Sequence, residues 1–161
     1  MKRKIPVEDR LDLHDMIARY AWALDVGDVE GYLDCFVEDA VMEHHPPGRV
    51  VGREGIRKLT DFLWYEHPKS YLGRQHRMSQ VLMTPEGEDA RIKAFWSILQ
   101  HDVKTEENFI YGMGLWDALA TKCEDGEWRL KSLYVDIWRG GNVPWVGDKR
   151  AWTKNDAPVE V

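Results

Sequence analysis

The sequence predicts an α+β fold: helices first, then a curved antiparallel sheet wrapped around them as an α+β barrel, a cone with one deep apolar pocket. Two observations lead there. Apolar residues at helical spacing are confined to the segments before Gly73, and four strand-length segments separated by turn residues fill most of the chain after it. A sheet of strands that long must curl, and helices packed on one side of it leave a concave face that closes into a pocket.

The first helical signal runs from Val7 to Val26. Leu13, Ile17, Tyr20 and Leu24 recur there three and four residues apart, one face of a helix that Gly27 can stop. Asp28 can cap a second short helix running through Tyr32, Leu33 and Phe36. Ala40 to Glu43 reads as a strand, and Pro46-Pro47-Gly48 turns the chain back into Arg49-Val50-Val51. A third helix begins after Gly52, with Ile56, Leu59 and Leu63 on one side. Strands are then expected over Gly73–Met83, Ala90–Val103, Phe109–Thr121 and Trp128–Arg139. Their connections are Pro85-Glu-Gly87, Thr105-Glu-Glu107 and Glu124-Asp-Gly126. A single domain over 1–161 results, with its core in 8–140. The tail 141–161 carries Trp145 and Trp152 and is expected to drape over a neighbour or the pocket mouth.

Bulk properties narrow the function. At 161 residues the chain suits one domain able to bury most of its apolar surface. The net charge of −6 argues against a nucleic-acid partner, which calls for a basic face to neutralise phosphates. No apolar run approaches the ~18 residues of a membrane span. The basic start Met1-Lys-Arg-Lys leads into acidic residues rather than the apolar core of a signal peptide, so a cytoplasmic protein is expected. Cys35 and Cys123 have no metal-ligand or disulfide-framework spacing. Eight tryptophans, six tyrosines and four phenylalanines suggest an aromatic-walled cavity, a large subunit interface, or both.

Three residues stand out chemically. Asp25 lies at the end of the first helix, about 140° round its axis from Tyr20, where a carboxylate can turn into a cavity. His76 opens a strand in Arg74-Gln-His76. Taken alone, a strand histidine is more often structural, but its ordinary pKa makes it the natural base for a cofactor-free enzyme. An Asp bonded to one ring nitrogen would set the tautomer and free the other nitrogen to take a proton. His101, on a later strand, could donate a proton to a leaving group. His44 and His45 point to opposite faces of a strand and cannot jointly hold a metal from one side; either one joining His76 and His101 at zinc is a remote alternative. There is no phosphate loop or nucleophile elbow.

The run Tyr20-Ala-Trp-Ala-Leu-Asp25-Val-Gly-Asp28, then Tyr32-Leu33, Phe36 and Asp39-Ala40-Val41, resembles the entry of the SnoaL-like (NTF2-like) superfamily. The similarity is to the branch of scytalone dehydratase, bile-acid 7α-dehydratase and hexachlorocyclohexane dehydrochlorinase. Gly52-Arg53-Glu54-Gly55-Ile56 resembles that family's third helix start, Arg74-Gln-His76 its catalytic strand, and Asp125-Gly-Glu-Trp128-Arg-Leu its last hairpin. The resemblance implies that Asp25 and His76 form the shared Asp–His dyad, with Tyr20 beside it and His101 as a second histidine. It departs at Leu24, where scytalone dehydratase has a tyrosine, and at Asp136, where bile-acid dehydratases have an arginine.

The function expected is a lyase, dehydratase-like, working by acid–base elimination on a hydrophobic aromatic or polycyclic molecule without cofactor or metal. Asp25, His76, Tyr20 and His101 are the expected catalytic residues, and Trp22, Trp96, Met113 and Asp136 the expected substrate contacts. Isomerisation, retro-aldol C–C cleavage and polyketide cyclisation share the proton-abstraction step and remain alternatives. So does a pocket that binds without turnover or serves as a small subunit. A homo-oligomer is expected, and the resemblance to the lyases implies a trimer, with a dimer next.

Overall fold

The computed structural model describes residues 4–45, 48–65 and 68–138, apart from the side chains of residue 45 and residues 62–65. Helix α1 spans Val7–Val26 and helix α2 Val29–Asp34. Strands β1 (Phe36–His45) and β2 (Gly48–Val51) precede helix α3 (Gly52–Tyr65). Four strands complete the chain: β3 (Tyr71–Glu86), β4 (Asp89–Asp102), β5 (Glu107–Lys122) and β6 (Trp128–Ile137). The expected tail, with Trp145 and Trp152, lies outside the described residues, as do Arg139 and the Pro46-Pro47 turn.

The six strands form one curved, unclosed sheet in the order β2-β1-β6-β5-β4-β3. The four long strands β3 to β6 pair antiparallel as expected, but β1 joins the sheet parallel to β6, from Phe36 opposite Leu130 to His45 opposite Asp136. The sheet is therefore mixed. Parallel neighbours need a long crossover, and α3 with β3, β4 and β5 supplies it.

The curvature has local causes. Register shifts interrupt the β3–β4 ladder between Leu72 and Gln75 and between Ser79 and Leu82, the second at Gln80, whose φ is 46°. Bulges of this kind bend a strand and increase its twist. The turn between β3 and β4 is tighter than the sequence suggested. Pro85 and Glu86 remain in the strand, and the reversal falls on Gly87, whose φ of 64° suits glycine.

The core lies between α1 and the inner face of the sheet. Leu13, Met16, Ile17, Tyr20, Ala23 and Leu24 of α1 are buried against Ile92, Ala94 and Trp96 of β4, Trp116 and Ala118 of β5, and Leu130, Leu133 and Val135 of β6. Tyr20, Tyr32, Phe36 and Trp116 form an aromatic cluster, with Tyr20 5.1 Å from Tyr32 and 5.6 Å from Trp116 between ring centroids. Each such pair adds about 0.5–1.5 kcal/mol beyond its buried area. Asp9 in the first turn of α1 pins the helix to the sheet, accepting from Lys122 Nζ at 2.7 Å and Trp128 Nε1 at 3.2 Å. At the other end Gly27 closes α1 in the left-handed conformation, and the Asp28 carboxylate caps α2 by accepting from the Gly31 N–H. Such a cap contributes about 1 kcal/mol.

Candidate functional site

Asp25 sits in the last turn of α1, where the helix dipole disfavours a carboxylate. Its charge is met from β3. The backbone N–H of His76 donates to Asp25 Oδ2 at 2.7 Å, and His76 Nδ1 lies 2.5 Å from Oδ1. The side chains are 15% and 12% exposed, so the pair is mostly, not fully, removed from water. A carboxylate can only accept, so the proton of this contact resides on Nδ1, and in the neutral ring the lone pair is on Nε2. Arg74, two residues before His76, is close enough for its charge to act on Asp25, and burial pulls its pKa down.

Strand alternation decides what else joins this pair. His76 is opposite Ile98 on β4, which is opposite Gly112 on β5. One row further in stand Met78, Trp96, Gly114 and Ile137. Trp96 lies flat over β5 because both positions beneath it are glycine. Its indole N–H is shared between the carbonyls of Leu115 at 3.1 Å and Asp136 at 3.2 Å, and a Cβ on Gly112 would meet its ring at 3.5 Å. Trp96 thus offers the site a ring face, its polar atom already committed.

Gln100 completes this face. It is two residues beyond Ile98 on the same side of β4 and 2% exposed. Neither its amide nitrogen nor its amide oxygen has a hydrogen-bond partner among the described residues. Each buried unsatisfied group costs about 1–3 kcal/mol. Nothing local in the sequence marks Gln100; only β4's register and burial expose it. Arg74 stood in the Arg74-Gln-His76 motif, but its charge reaches Asp25 only through the fold.

Several expected residues are placed elsewhere. His101 is three positions past Ile98, an odd step, and so projects from the opposite face; its Nδ1 is 3.0 Å from Asn108 Oδ1. Met113 and Asp136 also fall on the outer face, because their neighbours Gly114, Val135 and Ile137 occupy the inner one. Trp22 is 72% exposed and lines a groove of about 430 Å³ between α1 and α2, together with Arg19, Asp28 and Cys35. Tyr20 is on the correct side but sealed in the aromatic cluster, where burial pushes its pKa up to about 12. It is neutral at any working pH and a poor proton donor. Burial also pushes the Cys35 thiol up to about 11, consistent with a core cysteine. His44 is buried on β1 opposite Val135, and among the described residues no three His, Cys, Asp or Glu side chains stand together as a metal site.

Residues 6–134 match the model of the SnoaL-like domain. The chain belongs to the SnoaL-like family. Solved structures agree on the fold of this SnoaL-like protein. ActVI-ORFA from Streptomyces coelicolor is 17% identical with a TM-score of 0.73, covering 81% of this chain and 98% of its own. A protein from Catenulispora acidiphila in complex with S-DNPA is 19% identical with a TM-score of 0.72, covering 82% and 95%. An NTF2-like protein with a cystatin-like fold from Novosphingobium aromaticivorans is 20% identical with a TM-score of 0.71, covering 84% and 86%. No curated protein matches the chain. Among the described residues no helix is long and apolar enough to cross a membrane.

Proposed function

We propose that this SnoaL-like protein is a lyase of the dehydratase kind, acting by proton abstraction on a hydrophobic aromatic or polycyclic molecule. The observation that carries the reading is the two-point grip of Asp25 on His76, through the backbone N–H and through Nδ1. A histidine needed only for packing has no use for a mostly buried carboxylate that sets its tautomer.

In the reaction, His76 Nε2 removes the proton next to an electron-withdrawing carbonyl, and the C–H electron pair moves into the enolate. Collapse of the enolate forms the new double bond and expels hydroxide from the neighbouring carbon. The imidazolium returns its proton to that hydroxide, which leaves as water. Asp25 stabilises the imidazolium throughout. Positioned proton transfer contributes about 10²–10⁴-fold, and orientation of the substrate in the site supplies much of the rest. The elimination leaves no net oxidation or reduction to be balanced, so the step calls for no redox cofactor.

The family includes polyketide cyclases, dehydratases and isomerases, and all can begin with this same step. A screen of hydroxylated aromatic and steroid ligands for thermal stabilisation finds the substrate class, since a ligand at 100 times its Kd adds about 2.7 kcal/mol. Turnover of the best hit, lost in His76→Ala, supports the lyase. Binding with no turnover by the wild type overturns it in favour of a binding protein.

A further inference from the structure

We infer that Gln100 is the polar anchor of the substrate, and that the substrate therefore carries a carbonyl or phenolic oxygen next to the carbon His76 acts on. The inference rests on the reading of this inner face as the substrate site. A carboxamide with two donors and an acceptor is 2% exposed and, among the described residues, makes none of the hydrogen bonds it is built for. Buried polar groups are almost always paired, so one that is not calls for a cause. Its position supplies one. Ile98 is opposite His76, and Gln100 is the next residue of β4 on that same face. In a regular antiparallel ladder diagonal neighbours are about 7–8 Å apart, and the β3 bulge falls beside this pair. A carbonyl oxygen and its α-carbon, with one hydrogen bond at each end, fill such a gap.

The chemistry fits. As His76 Nε2 takes the α-proton, negative charge collects on the carbonyl oxygen. An amide N–H already in place, in a mostly buried site, stabilises that charge with little reorganisation. Facing across from Gln100, β3 is bulged between Leu72 and Gln75, which leaves the amide opposite irregular backbone rather than a regular ladder. The apolar ring face of Trp96 lies on the same side of the strand. The site thus combines one apolar plate with one bipolar group, the pattern that recognises a planar ring bearing a single oxygen.

The test uses the full chain, with naphthol and the equally shaped methylnaphthalene as probes. Wild type should bind naphthol about tenfold more tightly or better, and Gln100→Met should erase that preference while leaving methylnaphthalene affinity unchanged. Because Gln100 finds no partner among the described residues of the free protein, Gln100→Met should also raise the melting temperature by about 2–4 °C. A wild type with no preference for naphthol overturns the inference. So does a preference that survives in Gln100→Met, one removed by His76→Ala instead, or a fall in melting temperature on Gln100→Met. Turnover by His76→Ala is a separate measurement and bears on the lyase reading alone.

Discussion

Asp25 binds His76 with both carboxylate oxygens at once, one on the backbone N–H and one on the ring. The backbone contact fixes where β3 passes the end of α1. The ring contact then leaves Nε2 as the nitrogen turned away from Asp25. In the proposed reaction this holds the base in place before the substrate arrives.

His76→Ala should therefore lower kcat/KM by about 10²–10⁴-fold. Asp25→Asn should lose nearly as much, since an amide can favour the wrong imidazole tautomer. The two residues act as a unit, so the double variant should be scarcely worse than the worse single one. Steady-state kinetics on the substrate found by the ligand screen decide this, and additive losses would show that the residues work independently.

His101 projects from the other side of the sheet, bonded to Asn108. His101→Ala should leave kcat/KM close to wild type and change stability by no more than about 0.5 kcal/mol. A kinetic loss approaching that of His76→Ala would restore it as the general acid.

The buried Tyr20 sets an alkaline limit. An unfolded tyrosine loses its proton near pH 10, while Tyr20 in the folded protein holds it to about 12. Across that interval the folded state binds more protons, so stability falls as pH rises from about 10 towards 12, by up to about 3 kcal/mol from this residue. Below pH 10 the contribution is complete. Tyr20→Phe should move the alkaline unfolding midpoint upward, as read by circular dichroism. A midpoint that falls would mean that the hydroxyl stabilises the core more than its ionisation threatens it.

Two glycines of β5 should respond differently to a methyl group. A Cβ on Gly114 would collide with the Asp136 carbonyl oxygen, which is backbone and cannot swing aside, while one on Gly112 would only touch the Trp96 ring at 3.5 Å. Urea unfolding should show Gly114→Ala losing about 3 kcal/mol or more, and Gly112→Ala far less. Equal losses would remove the β5–β6 contact at Gly114 as the cause.

The outer face of the sheet carries Leu82, Phe95, Ile110 and Met113, all well exposed. We expect a homo-oligomer through this face, because contiguous exposed apolar side chains mark interfaces; the order, a trimer first and a dimer next, is what the resemblance to the lyases implies. Light scattering should show an assembly that Met113→Lys weakens; a wild-type monomer at micromolar concentration contradicts the expectation.

Much of the fold was legible in the residues. The spacing of Leu13, Ile17, Tyr20 and Leu24 marked α1, the capping pair Gly27 and Asp28 marked its end, and turn residues separated the long strands, because these signals act between near neighbours in the chain. The resemblance to SnoaL-like lyases paired Asp25 with His76, and the contact is there. What the sequence could not supply was register. The parallel pairing of β1 with β6 joins strands far apart in the chain, and no local signal reports it. Whether a strand residue faces the site depends on counting from its partner across the sheet, where a slip of one position reverses every side chain. That count placed His101, Met113 and Asp136 outside and Gln100 inside. Trp22 went to solvent for the equivalent reason on a helix: α1 turns a different stripe toward the sheet. Local composition thus determined the elements and the family resemblance nominated the dyad, while tertiary pairing alone decided which side chains share a face with it.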